Sequence, residues 1–183
     1  GPRNFHFFST PNVGVDVRGT FYLMEEVLKL KGLDPLKRTY DLFLKLGTEA
    51  NDGQRASLIE PLIGCPEAVS RSVNLFHANP DVGMIGANSQ RVTGRGEWPN
   101  EPWLAHFYEY YSIAEEHRGM DFFGGTYFWV RGDIFYKMVE DFAIPYCVWD
   151  RWAFGGDANP EHAIERIYSC FARNMGYIIQ GVG

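Results

Sequence analysis

The 183-residue sequence predicts an α/β domain, a mainly parallel twisted sheet with helices on both faces. Three observations predict it. Short apolar runs alternate with stretches whose apolar residues recur at helical spacing, the order that βαβ units produce. A hydrophobic fraction of 45% against 22% charged supplies a core able to offset the conformational entropy of the chain. Several apolar runs also end in polar loops, and open α/β sheets bind ligands outside the carboxyl ends of their strands.

The elements follow in chain order. Asn4 to Phe8 is aromatic and apolar and stops at the turn cluster Ser9-Thr10-Pro11-Asn12, so it reads as a strand. From Thr20 to Lys31, Phe21, Met24, Val27, Leu28 and Lys31 recur at helical spacing, and Gly32 is the natural stop. Tyr40 to Leu46 is a compact apolar run, the pattern of a buried strand, and opens into a polar loop from Gly47 to Gly53. Helical patterns occupy Gln54 to Ile63 and Pro66 to His77; Asn79-Pro80 breaks the chain and Val82 to Ala87 gives another strand. Asn88 to Pro102 is expected as a long loop, Trp103 to His117 as an aromatic helix, Gly125 to Arg131 as a strand and Ile134 to Val139 as the start of a helix. Ile144 to Pro160 mixes Trp, Gly and Pro without periodicity, the mark of a long and functional loop. Glu161 to Met175 reads as a helix capped by Gly176, and Tyr177 to Gln180 as the last strand.

Composition narrows the function. At about 150 residues per domain the chain is one domain. Charge-free stretches run to about a dozen residues, short of the roughly 20 that cross a bilayer, so no transmembrane segment is expected. Cys65, Cys147 and Cys170 lie far apart without CxxC spacing, which supports neither a disulfide framework nor a zinc ribbon and suits a reducing, cytoplasmic compartment; membrane association would then come through other domains or partners. A net charge of -6 argues against nucleic acid as the partner. Gly1-Pro2 resembles a protease scar, so the start need not be a natural one. No Walker sequence, GxGxxG, GxSxG or zinc-protease His pair is present, which removes support from the common NTPase, dehydrogenase and hydrolase readings.

The loops after the strands hold the candidate chemistry: Asn12, Gly14 and Asp16; Lys45, Thr48, Glu49 and Asp52; Asn88 and Arg91; then Asp150, Asp157, Glu161 and His162. Carboxylates with a Lys and a His suit an enzyme handling a phosphorylated or hydroxyl-rich ligand by metal chelation or general base catalysis. Each has a structural rival. Asn12 and Asp16 fit helix caps, Lys45 a snorkelling strand residue, Glu49 and Asp52 loop solvation, and Glu161 the favourable first turn of a helix. Trp129 fits core packing, and Glu165 and Arg166 fit ion pairs that fix their helix. Gly124 and Gly125 fit a close backbone approach.

Five ordered blocks resemble the rhamnan synthesis F family of polysaccharide glycosyltransferases. Pro11-Asn12-Val13-Gly14-Val15-Asp16 is similar to its PNxGxD segment. Tyr40 to Glu49, with Arg55 and Leu62-Ile63-Gly64, is similar to its YDxxLKxHTK and RxxLLxxLLG segments. Asn79 to Gly86 is similar to PxIGxxGP, and Phe122 to Arg131 to FPAGTMFWxR. Asp157 and His162 to Arg166 are similar to DGTLAHAIER, with the Asp-to-His spacing of five kept. A capsid-glycan glycosyltransferase domain of a large algal virus, also rhamnose-transferring, shares the likeness.

The resemblance implies a GT-A-like fold, with residues 11–90 as the nucleotide-sugar half and 91–183 as the acceptor and catalytic half. It implies transfer of rhamnose or a similar hexose from a UDP or dTDP donor to a growing polysaccharide or glycan. Asn12, Gly14 and Asp16 would hold base and ribose, Lys45 the diphosphate, and Gly124 and Gly125 would lie beside the donor sugar. Asp157, Glu161 and His162 would be catalytic, Asp157 as base or sugar-hydroxyl ligand; in an inverting reaction Asp157 or Glu161 would be the base, and a retaining reaction would need none. The family's His-Thr-Lys is here Gly47-Thr48-Glu49, and an Asp-x-Asp motif is absent; Glu49 and Asp52 stand where a carboxylate ligand to Mn²⁺ or Mg²⁺ would be expected. Relatives open with a further strand and helix, so the expectation is either a trimmed chain lacking that N-terminal strand, which Gly1-Pro2 favours, or a natural minimal form of the fold. The rival from another class is a catalytically inactive carbohydrate- or nucleotide-sugar-binding module of the same fold. A nucleotidyltransferase would need a Gly-rich, basic loop after the first strand.

Overall fold

In the sequence of a computed structural model, residues 20–21, 41–47, 51–94, 101–141 and 159–183 are described. Strand β1, Leu42–Lys45, lies inside the apolar run that predicts it. Helix α1, Asp52–Leu58, starts earlier than its apolar pattern because a capping box holds it: Asn51 Oδ1 accepts the Gln54 amide at 3.0 Å and Gln54 Oε1 accepts the Asn51 amide at 3.4 Å. Helices α2, Glu60–Ile63, and α3, Pro66–Ala78, follow, the latter with Pro66 in its first turn, where a missing N–H costs nothing. Strand β2, Val82–Ala87, is buried throughout, as a run of small and apolar residues between two layers must be.

The middle of the chain departs from expectation. Within the predicted loop Asn88 to Pro102, Arg91–Gly94 forms strand β3, paired antiparallel to β4, Met120–Phe123. Arg91 of β3 is held in an ionic cluster: its Nε and Nη2 donate to the two Asp121 carboxylate oxygens at 2.8 and 3.0 Å, and Arg173 Nη1 lies 3.7 Å from the same carboxylate. Helix α4, Glu101–Tyr110, is shorter than the predicted Trp103 to His117, and Ser112 turns to φ 51° just beyond it. Strand β5, Phe128–Arg131, begins after a turn at Gly124–Thr126, whose Gly125 and Thr126 the sequence reading places inside the strand. Helix α5, Gly132–Glu140, helix α6, Pro160–Asn174, and strand β6, Ile178–Val182, complete the described elements; Gly176, at φ 89°, supplies the left-handed turn after α6.

The main sheet has the order β1-β5-β2-β6. It is mixed, which corrects the mainly parallel expectation: β5 is antiparallel to both β1 and β2, and only β2 and β6 pair in parallel. β5 is reached from β4 through the Gly124–Thr126 turn, with no helix between the two strands to make a crossover. The two halves of the sequence interleave, since β5 sits between β1 and β2.

Helices do cover both faces. Alternation sends Phe128 and Val130 of β5 to one side with Met84, Ile179 and residues of α4, α5 and α6. Trp129 goes to the other, with Leu58, Leu62, Phe76, Val82, Ile85 and Val182. Val82 and Ile85 share a face because the β2–β6 register shifts between Val82 and Met84. The β3–β4 ribbon docks on the main sheet by laying the Phe123 ring over Gly86, where a Cβ would overlap it. Among the described residues no helix is long and apolar enough to cross a membrane.

Candidate active site

Because β1, β2 and β6 run in one direction and β5 in the other, the carboxyl ends of three strands meet the amino end of β5 at a single edge. The register fixes this: Lys45 pairs with Phe128, Gly86 with Phe128, and Gly181 with Gly86. That edge is where an α/β sheet offers loops and unpaired backbone groups to a ligand.

Lys45 ends β1 and is only 6% exposed. Its ammonium donates to Thr126 Oγ1 at 2.7 Å, across 81 positions of sequence. Thr126 belongs to the Gly124–Thr126 turn, in which Gly125 has φ 79° and Thr126 φ 59°. Glycine takes that region freely, whereas a β-branched residue there costs about 1–2 kcal/mol, and such strain persists only where surrounding contacts over-determine it. Two contacts do so here. Lys45 holds the Thr126 side chain, and the Gly125 amide donates to Glu165 Oε1 at 2.6 Å. Gly124 has ordinary room for a Cβ, 3.7 Å from the Gln90 carbonyl oxygen, so its place in the turn is not a forced close approach.

Helix α6 supplies the third side. Pro160 and Glu161 form its first turn, and Glu161 is 3% exposed. His162 Nδ1 is buried and has no hydrogen-bond partner among the described residues. One turn further on, Arg166 Nη1 donates to the His162 carbonyl and lies 3.3 Å from Glu165 Oε2, with its guanidinium carbon 5.0 Å from the centre of the Phe122 ring. The turn, the end of β1 and the start of α6 therefore form one connected polar cluster.

The structure thus brings together Lys45, Gly124 and Gly125 and sets α6, with Glu161 and His162, against them through Glu165. Asp52 stands apart, exposed in the first turn of α1. Among the described residues no group of three or more His, Cys, Asp or Glu side chains comes together to hold a metal ion. Asn12, Gly14, Asp16, Glu49 and Asp157 lie outside the described residues. Asn88 reaches the same edge, its Oδ1 packed over Gly181 so closely that a Cβ there would collide with it, while Arg91 is drawn away to Asp121. Trp129 is half-buried and packs against the core, its Nε1 donating to the Leu62 carbonyl at 3.3 Å.

Sequence reasoning missed Thr126 and the contact of Glu165. A threonine in an apolar run reads as a strand residue; the signal that it does not is the Gly124-Gly125 pair before it, which marks a turn. The place of Glu165 is marked only by its turn-wise spacing from Glu161 on α6.

A concavity of about 390 Å³ opens at the opposite edge, between Asp41, Phe76, His77, Arg131, Asp133 and Tyr177. Three of its polar side chains, Arg131, Asp133 and Tyr177, are engaged in holding the fold. Arg131 Nε donates to the Val82 carbonyl at 2.6 Å and Nη2 to those of Phe76 and Asn79 at 2.8 and 3.1 Å, and Tyr177 Oη donates to Asp133.

No family model, curated protein or solved structure matches the chain.

Proposed function

We propose that the domain is a nucleotide-sugar-dependent glycosyltransferase, moving rhamnose or a similar hexose from a nucleoside diphosphate to a growing polysaccharide or glycan. The observation that carries this reading is the meeting, at one strand edge, of residues from three separate blocks of sequence: Lys45, the Gly124–Thr126 turn and helix α6. Those are three of the blocks that resemble the rhamnan synthesis F family.

The chemistry is charge stabilisation and proton removal. As the anomeric C–O bond breaks, negative charge grows on the departing diphosphate, and a fixed cation in a water-poor setting lowers that barrier most. Lys45 is such a cation, oriented by Thr126. In an inverting reaction the acceptor hydroxyl attacks the anomeric carbon and gives its proton to a carboxylate; Asp157, just ahead of α6, takes that role in preference to the enclosed Glu161. Asn12, Gly14 and Asp16 are assigned to the base and ribose, Gly124 and Gly125 to the donor sugar, and His162 to positioning of the acceptor. Glu49 and Asp52 would be the carboxylates for a Mn²⁺ or Mg²⁺ ion, which when bound would supply further positive charge to the departing diphosphate.

Calorimetric titration with UDP and dTDP, with and without manganese, tests the reading. Saturable binding of at least one is expected, and binding of neither overturns it. Binding by a protein that neither transfers nor hydrolyses any donor would identify the inactive binding module instead.

A further inference from the structure

We infer that Glu165 is a positioning residue: its carboxylate holds the left-handed Gly125–Thr126 turn, and through that turn the Lys45 ammonium, in place at the carboxyl edge of the sheet. The inference rests on the proposed function for the purpose of the positioning and on geometry alone for the contact. The Gly125 amide donates to Glu165 Oε1 at 2.6 Å, and a carboxylate acceptor makes that a charge-assisted hydrogen bond. Glu165 comes from the second turn of α6, forty positions along the chain, so the bond ties a rigid helix to a turn that two consecutive left-handed residues would otherwise leave free to relax. The carboxylate is itself fixed, with its second oxygen 3.3 Å from Arg166 Nη1, whose side chain is 4% exposed. On the far side of the turn Thr126 Oγ1 accepts from Lys45. Helix, turn and ammonium form one chain of contacts, and Glu165 is the link that sets the backbone angle.

The contact predicts an outcome that a merely helix-stabilising glutamate would not. In Glu165→Ala the Gly125 amide loses its acceptor, and its hydrogen exchange, followed by NMR, should quicken about tenfold relative to the amides of β2. Glu165→Gln keeps an acceptor oxygen and should restore most of that protection, which keeps the test usable where the alanine variant folds poorly. With the donor that the wild type turns over best, the alanine variant should raise KM and lower kcat together, by about tenfold in kcat/KM, and the glutamine variant should recover most of the loss. Unchanged exchange at Gly125 in both variants would overturn the inference. So would a glutamine variant as unprotected at Gly125 as the alanine. A wild type that turns over no nucleotide sugar would overturn the glycosyltransferase reading alone, because the exchange measurement judges the contact without it.

Discussion

The ammonium of Lys45 donates to Thr126 Oγ1 at 2.7 Å, joining the last residue of one strand to a threonine at φ 59° in the turn before its neighbour. A cation that is 6% exposed is fixed at the strand edge where the proposed diphosphate would lie. Lys45→Met should therefore weaken nucleoside diphosphate binding by about tenfold or more, the scale of one charge-assisted hydrogen bond. Lys45→Arg should not rescue it, since a planar, wider guanidinium does not replace a point charge in an enclosed site. Calorimetry on folded samples of both variants checks this, and arginine at wild-type affinity would contradict it.

The backbone at Thr126 makes a separate prediction about stability. Thr126→Gly loses the hydrogen bond but relieves the left-handed strain, two effects of about 1 kcal/mol that oppose each other. Thr126→Val loses the bond and keeps the strain. Urea unfolding should place the valine variant about 1–2 kcal/mol below the glycine variant. Equal stabilities would mean that the turn relaxes freely.

Gly86 carries the docking of the β3–β4 ribbon, because the Phe123 ring occupies the space of a Cβ. Gly86→Ala should destabilise the protein by about 1–3 kcal/mol, the usual cost of forcing an extra methyl into a packed interior. Adding Phe123→Leu should return part of that loss by making room. A double variant no better than the single one would show that the ring is not what fills the space.

Two phenols set the alkaline behaviour. Burial, with the nearby Tyr168, Tyr110 and Asp141, pushes the Tyr111 phenol far up, and its hydroxyl has no hydrogen-bond partner among the described residues. Burial, with Cys170 beside it, pushes Tyr108 up to about 12 from 10.0. In both cases the folded state holds its proton after the unfolded state has lost it. Their contribution is thus fully present below pH 10 and lost as pH rises through the folded value, for Tyr108 between about 10 and 12. Tyr108→Phe and Tyr111→Phe should each flatten the fall in stability above pH 10. At pH 7 Tyr111→Phe should leave stability level or raise it by about 1 kcal/mol, because it removes an unmatched polar group. A steeper alkaline fall in either variant would refute the assignment.

Much of the fold was legible in the sequence where one physical signal dominated. Val82 to Ala87 is apolar, bounded by Asn79-Pro80 and buried on both sides, so its strand was readable to the residue. Helix α6 announced itself by its apolar spacing from Glu161 and by Gly176 at its end, although Pro160, which the sequence reading leaves in the preceding loop, is its first residue. What escaped were elements stabilised by distant partners. Arg91–Gly94 looks like a loop until Asp121 is seen to pair with Arg91, sharing its carboxylate with Arg173, and α1 gains its first residues from a capping box rather than from apolar spacing. Strand direction escaped for the same reason, since β4 was hidden and the crossover into β5 was misjudged. At the site, Lys45 and the glycine pair were visible as residues, but that they meet, and that Glu165 holds the turn, depends on contacts across 81 and 40 positions.

The central claim is tested most directly by mass-spectrometric assay of donor breakdown across UDP-, dTDP- and GDP-linked hexoses, comparing the wild type with Asp157→Asn and Lys45→Met. The account predicts turnover of at least one donor by the wild type, loss of transfer in Asp157→Asn without loss of folding, and a strong fall in Lys45→Met. Turnover of a donor at wild-type rates in both variants, or no turnover and no binding of any donor by the wild type, would contradict it.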